Sequence, residues 1–333
     1  MVKTGSLALA AGLAGLLLFG CAALGGRKEG KVTVTKTDWR GWHDCYVLSN
    51  GDAEVVVVPG IARIMSYRLA GGENVLWVND EQTPERTGEQ CITGPTKQWL
   101  HYGGYKLWPA PEKDWGGLPD WQLDRGPCRV EVEPDGALRL IGMVSDRYGI
   151  RFIRRIRLAP KGSRLEIGQT AVNVSTQPVT ASIWDVTQVK FECVGFVPMG
   201  PGATCRGAKG REPDEQWRRH EDVLMVRPAG KSGKVFISGP PAWLGSLHGK
   251  VAYVKAFRMA AAPPPEPEAP REVYTSDIGY IELEIVGPAV TIGPGESTSH
   301  AETWHLVPVE TTPTTDAEVA RTVRNLGAQL KLD

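Results

Sequence analysis

One short stretch of the sequence, residues 101–115, concentrates side chains that suit the recognition of a sugar. It supplies an imidazole at His101, an ammonium at Lys106, indoles at Trp108 and Trp115, and a carboxylate at Glu112. Indoles pack against the apolar faces of a sugar ring, and charged groups bind its hydroxyls. We therefore predict that these five residues contribute to a binding cleft. The alternative is a rigid structural loop whose tryptophans fill one end of the fold.

A second candidate lies in the segment Ile-Trp-Asp that ends at Asp185. In a strand, neighbouring side chains point to opposite faces, so only one of Trp184 and Asp185 can line a given cleft. Both are candidates for substrate binding. The alternative for Trp184 is a place in the core, since tryptophan is commonly buried.

Two later segments carry carboxylates with strand-like alternation. In the first, Glu282 and Glu284 share one face, where a general base could lie. In the second, His300, Glu302 and Trp304 share a face, and Trp304 is a candidate for contact with the substrate. For both segments a solvated face is the favoured interpretation, because charged groups prefer the surface.

The composition argues against several classes of function. Lys plus Arg and Asp plus Glu each number 38, so the formal net charge is zero and a nucleic-acid partner is not expected. The serine-hydrolase, phosphate-binding-loop and zinc-protease motifs do not occur, and the six histidines are scattered. We therefore expect no cofactor and no metal site. The 11 tryptophans exceed what a core alone requires, which favours a ligand-binding surface.

Strands must position these residues. Asn50-Gly51 between two apolar runs predicts a β-hairpin, and short apolar runs separated by Gly and Pro turns continue to residue 309. Residues 80–127 lack this periodicity and are predicted to form a long functional loop. Residues 198–216 are predicted to be an irregular excursion. The pattern favours an all-β fold, a large two-sheet sandwich spanning residues 31–310.

Only the C-terminal segment, residues 311–333, has a helical pattern. Thr315 and Asp316 can cap a helix there. The residues that would share one apolar face and pack on the outside of the sheets are Val319, Val323, Leu326 and Leu330.

The N-terminus predicts export. Lys3 precedes an apolar run, and the Leu-Phe-Gly-Cys sequence ending at Cys21 resembles the lipobox of bacterial lipoproteins. We expect residues 1–20 to be a signal peptide, Cys21 to be lipidated, and residues 21–30 to form a tether. The alternative is an uncleaved anchor helix. The other five cysteines form no Cys-x-x-Cys pair and are odd in number, so at least one is unpaired within the chain. Buried structural cysteines are the favoured interpretation.

The order of these features resembles that of the galactose-mutarotase-like supersandwich proteins over residues 32–309. The segments that carry the resemblance are Gly-Gly-x-Lys-Leu-Trp-Pro-Ala-Pro-Glu, Ile-Trp-Asp-Val-Thr-Gln, Ile-Glu-Leu-Glu, Ile-Gly-Pro-Gly-Glu-Ser and Glu-Thr-Trp-His-Leu. The first of them marks a bacterial branch of that superfamily. The resemblance implies a supersandwich fold and a carbohydrate ligand.

In the epimerases of this superfamily, a His acts as general acid and a Glu as general base. The Glu lies on a strand shortly before a Pro-Gly-Glu turn, a position matched here by Glu282 or Glu284. His101 is the candidate acid. Lys106 lies near the position of a sugar-binding Arg, but a lysine lacks the forked donors that recognise phosphate.

Three hypotheses follow. The first is a membrane-tethered carbohydrate-binding protein with aldose 1-epimerase-type activity, the second a non-catalytic carbohydrate-binding module, and the third a structural envelope lipoprotein. In all three we expect a monomer anchored by its N-terminal lipid in the cell envelope. It would face the periplasm, with the outer membrane favoured over the inner.

Overall fold

The computed structural model describes residues 1–2, 30–87, 94–208 and 215–332. Nearly all of the predicted signal peptide and tether, including Cys21, lies outside these ranges, as does Cys91. The described residues form two ten-stranded sheets and one two-stranded sheet, and every described strand pair is antiparallel. Among the helices of these ranges, none has the length and apolar character needed to cross a membrane.

The strands are numbered along the chain, and neighbours in each sheet are given in spatial order. Sheet 1 contains β1 (Thr33–Trp39), β2 (Trp42–Ser49), β3 (Ala53–Val58), β4 (Arg63–Leu69), β5 (Tyr105–Pro109), β11 (Ile183–Lys190), β20 (Tyr280–Val286), β19 (Arg271–Thr275), β16 (Gly233–Ser238) and β13 (Thr204–Gly207). Sheet 2 contains β14 (Trp217–His220), β15 (Val223–Val226), β12 (Val194–Pro198), β17 (Trp243–His248), β18 (Val251–Phe257), β22 (Ser297–Pro308), β9 (Leu165–Asn173), β8 (Ile150–Leu158), β7 (Leu138–Val144) and β6 (Arg129–Val132). The small sheet pairs β10 (Val179–Ala181) with β21 (Val290–Ile292).

The two large sheets enclose the main core. Along β20, Ile281, Leu283 and Ile285 point towards sheet 2 and pack with residues such as Ile167 and Leu306 from that sheet. The remaining β20 side chains point to the opposite, outer face of sheet 1 because strand side chains alternate. This alternation separates an apolar interior from the polar outer face that is described below.

The predicted hairpin at Asn50-Gly51 is confirmed. The Asn50 side-chain oxygen accepts hydrogen bonds from the backbone N–H groups of Asp52 and Ala53, at 2.9 and 2.8 Å. Gly51 has φ +88°, a conformation that side-chain-bearing residues rarely adopt. The turn therefore fixes the register of β2 against β3.

The prediction that residues 80–127 form one long loop is wrong in its centre, because β5 is an interior strand of sheet 1. Gly103 and Gly104 precede β5. A Cβ at Gly103 would lie 2.3 Å from the carbonyl oxygen of Trp77, and one at Gly104 would lie 2.2 Å from that of Ile64. The two glycines thus let the backbone pack closely against its neighbours. The predicted excursion at 198–216 likewise contains a strand, β13.

Helices are short except at the C-terminus. Two single-turn helices, α1 (Pro84–Thr87) and α2 (Trp121–Asp124), were not predicted. The predicted terminal helix is confirmed as α3 (Asp316–Leu330), and Thr315 and Glu318 form a capping box at its start. The buried side of α3 packs on the outer face of sheet 2, as its apolar stripe predicted; the contact residues include Val319, Val323, Leu326, Trp243 and Val254.

The cysteines in the described ranges are free, but only one of them is fully buried as expected. Cys45 is buried, Cys128 and Cys193 are half-buried, and Cys205 is exposed. No disulfide therefore constrains the described part of the sandwich.

Candidate functional site

The outer face of sheet 1 carries a buried cluster of charged and aromatic side chains at its centre. We call Lys106, Trp108, Trp184, Glu282 and Glu284 the central patch. They come from three adjacent strands, β5, β11 and β20, whose register sets Trp108 beside Trp184 and places Val186 between Lys106 and Glu284. The fold therefore brings together three of the segments that had been predicted to contribute to the site.

Aromatic rings cover the central patch. Trp115 packs against Trp108 and Trp184, with ring centroids 4.9 and 5.6 Å apart. Trp99 adds a further ring, 5.5 Å from Trp108 and 6.0 Å from Trp115. Because of this cover, Lys106 is 1% exposed and Glu284 is 0% exposed.

Lys106 is the least satisfied charged group of the patch. Its Nζ lies 3.5 Å from Glu282 Oε1 and 3.7 Å from the centre of the Trp108 ring. It has no hydrogen-bond partner among the described residues. Burial lowers the pKa of this ammonium to about 8, although Glu282 opposes the shift.

The carboxylate partner of Lys106 is held from the neighbouring strand. Gln188 Nε2 donates a hydrogen bond of 2.9 Å to Glu282 Oε1. Burial raises the pKa of Glu282, and nearby Glu284 adds to the rise while Lys106 opposes it. Glu282 and Lys106 therefore form a pair in which burial favours the neutral form of each partner.

Glu284 belongs to a second ion-pair group. Its Oε2 accepts hydrogen bonds from Trp184 Nε1 at 2.8 Å and from Lys234 Nζ at 3.0 Å. Lys234 Nζ also lies 2.6 Å from Glu272 Oε2. Burial lowers the pKa of Lys234, but the two carboxylates outweigh it and the pKa is raised overall. The other Glu284 oxygen, Oε1, has no partner among the described residues.

His101 lies at the edge of the patch. Its Nδ1 is 3.2 Å from the Tyr280 hydroxyl, and its ring stacks on Trp99 at 5.6 Å. Tyr280 is the neighbour of Glu282 on the same face of β20. Burial, helped by Lys106, lowers the pKa of His101 to about 4, so its imidazole is neutral at neutral pH.

Several sequence predictions about this region need correction. The carboxylates Glu282 and Glu284 do not form a solvated face, because they are buried, at 6% and 0% exposure. The expected open cleft is closed, with its predicted walls in direct contact. Glu112 is exposed, and only its backbone N–H reaches the neighbouring segment, donating to Glu268 Oε1 at 3.2 Å.

Three of the candidate residues lie on the inner side of sheet 1, where they cannot contact a ligand at the central patch. They are Asp185, Glu302 and Trp304. All three are buried between the two sheets, at 0%, 3% and 0% exposure. Asp185 is ion-paired with Lys255, and Trp304 Nε1 donates to Glu302 Oε2 at 2.8 Å. We call Lys255, Asp185 and Glu302 the inter-sheet cluster. The prediction that Asp185 and Trp304 bind substrate is therefore wrong, and so is the solvated face proposed for Glu302.

Sequence reasoning missed Trp99, Lys234 and Glu272. The two charged residues lie on β16 and β19, in ordinary alternating segments whose neighbours in space cannot be read from local spacing. Within the described ranges, no group of three or more His, Cys, Asp or Glu side chains is arranged to hold a metal ion.

A cavity of about 170 Å³ lies beyond Trp99. We call it the Trp99 cavity; its walls include Trp99, Asp120, Trp121, Asp124 and Arg125. Asp124 connects it to the patch, because its Oδ1 accepts a hydrogen bond of 2.8 Å from Trp108 Nε1. The Trp99 side chain therefore contacts a solvent-accessible space and also covers the buried charges.

Solved structures share this architecture at low sequence identity. A galactose mutarotase-like protein from Clostridium acetobutylicum superposes with a TM-score of 0.53 and 9% identity, over 84% of this chain and 99% of that one. A Klebsiella pneumoniae protein provisionally assigned as an aldose 1-epimerase superposes with a TM-score of 0.55 and 11% identity, over 89% of this chain and 87% of that one. These likenesses confirm the predicted supersandwich fold.

A TPR-domain-containing protein from Parabacteroides distasonis gives a TM-score of 0.55 and 13% identity over 82% of this chain, which spans 49% of that longer protein. Comparison of the sequence with curated proteins gave no match. A family model described as "Domain of unknown function (DUF4380)" matches residues 45–307. Since this match covers most of the sandwich and well over half of the sequence, the chain belongs to the DUF4380 family.

Proposed function

We propose that the protein is an exported, membrane-tethered carbohydrate-binding protein whose sugar site is the central patch. The observation that carries the proposal is the Lys106 ammonium, which is buried over Trp108 beside Glu282 and has no hydrogen-bond partner among the described residues. A buried unbonded ammonium costs free energy, and sugar hydroxyls would supply the acceptors that it lacks.

The remaining groups of the patch complement a sugar in the same way. Glu284 Oε1 accepts nothing from the described residues, so it can receive a sugar hydroxyl. The indoles of Trp108 and Trp184 offer apolar surfaces for the C–H face of the ring. A ligand reaches these groups when Trp99, which is half-buried, moves away from Lys106.

The binding proposal is tested with the substitution Lys106→Met. We expect wild-type protein to bind at least one of a panel of aldoses in saturation-transfer NMR, and Lys106→Met to lose that binding. Lys113→Met, the same change at an exposed position nearby, is the matched control and should bind as wild type does. Binding by neither protein, or equal binding by wild type and Lys106→Met, would contradict the proposal. Thermal unfolding checks that each variant is folded.

The same pair of groups favours a second candidate function, anomer interconversion. The anomeric and ring oxygens of an aldose are bonded to the same carbon, so an acid and a base that act on them must lie close together. Lys106 Nζ and Glu282 Oε1 are 3.5 Å apart. Their pKa values are shifted towards neutrality, lowered to about 8 for Lys106 and raised for Glu282, which suits proton transfer.

In this reaction Glu282 takes the proton of the anomeric hydroxyl while Lys106 gives a proton to the ring oxygen. The bond between the anomeric carbon and the ring oxygen breaks, and an open-chain aldehyde forms. After rotation about the adjacent carbon–carbon bond, the ring closes and both protons return. Lys106 thus replaces His101 as the proposed acid, since His101, with a pKa of about 4, holds no transferable extra proton at neutral pH.

NMR exchange spectroscopy on the aldose that binds tests the reaction. We expect Glu282→Gln to slow the catalysed exchange at least about 100-fold, whereas the exposed control Glu266→Gln should leave it unchanged. The rate should fall above pH 8, where Lys106 loses its proton. A rate that falls as the pH rises through about 4 would instead assign the acid to His101. An unchanged rate in Glu282→Gln would rule out the mechanism.

The membrane tether rests on the N-terminal sequence, which lies outside the described residues. A basic start, an apolar run and the Leu-Phe-Gly-Cys sequence support cleavage before Cys21 and its lipidation. Metabolic labelling with a tagged fatty acid should mark the wild-type protein, and Cys21→Ala should abolish the label and release the protein from membranes. Label that persists in Cys21→Ala would contradict this proposal.

A further inference from the structure

The Trp99 cavity contains a buried guanidinium with unused hydrogen-bonding capacity. Arg125 is 3% exposed, and its Nη2 donates to Gly94 O and Thr96 Oγ1, both at 2.9 Å. Its Nη1 has no hydrogen-bond partner among the described residues. The Nε1 of Trp99, in the same cavity wall, also has no partner there. Two residues that line the cavity therefore each carry a buried N–H donor without a partner among the described residues.

The acidic residues beside Arg125 form ion pairs and hydrogen bonds with other groups. Asp124 is ion-paired with Arg63 at 3.0 Å, and the same oxygen accepts the Trp108 indole N–H. Asp120 caps α2 by accepting the Leu123 N–H at 3.1 Å, and its second oxygen accepts the Ser145 hydroxyl at 3.0 Å. Arg125 thus remains a buried cation without an ion-pair partner in the described ranges. Burying an unpaired cation costs free energy, which an anion bound in the cavity would offset.

We propose that the Trp99 cavity binds the carboxylate of an acidic sugar, a uronate, through Arg125 and Trp99. A carboxylate has two oxygens for the two unused donors. The indole of Trp121, another wall of the cavity, offers a flat apolar surface for the sugar ring. The volume of about 170 Å³ limits the occupant to one ring-sized group. Asp120 and Asp124 disfavour a doubly charged phosphate, so the carboxylate is the preferred anion.

This inference rests on the proposed carbohydrate-binding function and narrows its ligand class. The cavity and the central patch share Trp99 and are linked through Asp124. A uronate at Arg125 would place the next sugar unit, or the other end of the same ring, towards Lys106. Trp99 and Arg125 would thereby select acidic over neutral carbohydrates.

Calorimetric titration of the full-length protein in detergent tests the inference with three probes of matched structure. They are methyl glucuronide, methyl glucoside and glucose 6-phosphate. We expect wild type to bind the glucuronide at least about tenfold more tightly than the glucoside. Arg125→Gln should remove this preference, and Arg125→Lys, which keeps the charge, should retain part of it. Arg258→Gln, at an exposed position just after β18, is the control and should keep the full preference.

The outcomes separate this inference from the proposed function. Equal affinity of wild type for glucuronide and glucoside, or an undiminished preference in Arg125→Gln, would overturn the uronate site while leaving sugar binding intact. Tighter binding of glucose 6-phosphate than of methyl glucuronide would show that the cavity takes a phosphate rather than a carboxylate. Absence of binding to every probe and to the aldose panel would overturn both proposals. Thermal unfolding of each arginine variant identifies a loss that is due to misfolding.

Discussion

Two buried lysines, on opposite sides of sheet 1, differ in how they are bonded. In the inter-sheet cluster, Lys255 Nζ donates to Asp185, to Thr187 Oγ1 at 3.0 Å and to the Leu283 carbonyl at 3.1 Å. In the central patch, Lys106 Nζ makes only an ion pair with Glu282 at 3.5 Å and a contact with the Trp108 ring. Both side chains are almost completely buried, at 0% and 1% exposure.

This difference distinguishes a structural charge from a binding one. An ammonium has three donor hydrogens, and those of Lys255 are all used within the protein. The Lys255 site lies between two sheets, where no ligand can reach it. Lys106 Nζ lies 5.9 Å from the centre of the Trp99 ring, and Trp99 also lines a cavity. We infer that the inter-sheet cluster holds the sheets in register, and that the central patch is organised for a ligand.

The largest expected effect concerns the inter-sheet cluster. Lys255→Met leaves Asp185 and Glu302 buried without their cation, so we expect a loss of about 3–5 kcal/mol in the free energy of unfolding. Denaturant unfolding followed by tryptophan fluorescence measures it. Lys250→Met, at an exposed position in the preceding turn, is the control and should change stability by less than about 0.5 kcal/mol. A similarly small loss in Lys255→Met would refute the structural role.

A smaller stability effect is expected in the central patch. Lys106→Met keeps the buried stem and removes an ammonium that has no hydrogen bond, while Glu282 keeps the Gln188 donor and can take up a proton. We therefore expect the free energy of unfolding to change by less than about 1 kcal/mol. The same denaturant measurement applies. A loss as large as that of Lys255→Met would make Lys106 structural and remove the distinction between the two sites.

The smallest expected effect is a change in how the free energy of unfolding depends on pH. Burial lowers the pKa of His101 from 6.5 to about 4, so the folded state binds fewer protons than the unfolded state between these values. The contribution of the buried His101 imidazole to the free energy of unfolding is complete above pH 6.5, and it is lost as the pH falls towards 4. His101→Gln removes this contribution, and stability measured from pH 7 to 4 should then fall less steeply. An unchanged slope would show that His101 titrates normally and is more exposed than described.

The fold could be predicted from sequence because its signals are local. The Asn50-Gly51 turn, the alternation of β20 and the capping residues of α3 each specify a conformation within a few residues. The strand β5 could not be identified in the same way, because every one of its residues is buried and no polar alternation marks it. Its tryptophan and lysine instead suggested a loop at the surface.

The site was predicted only in part, since its partners meet across strands that are distant in sequence. The pairing of Lys106 with Glu282 joins β5 to β20, and only the intervening β11 brings them together. Alternation correctly separated Trp184 from Asp185, but it could not say which face of sheet 1 was internal. That choice depends on how sheet 2 packs, and it placed Asp185 in the interior.

A crystal structure of the protein soaked with its tightest-binding sugar would show whether the central patch is the sugar site. We expect a sugar ring against Trp108, with a hydroxyl within hydrogen-bond distance of Lys106 Nζ and with Trp99 displaced from its present position. A sugar bound elsewhere, with Lys106 and Trp99 unchanged, would refute the proposed site.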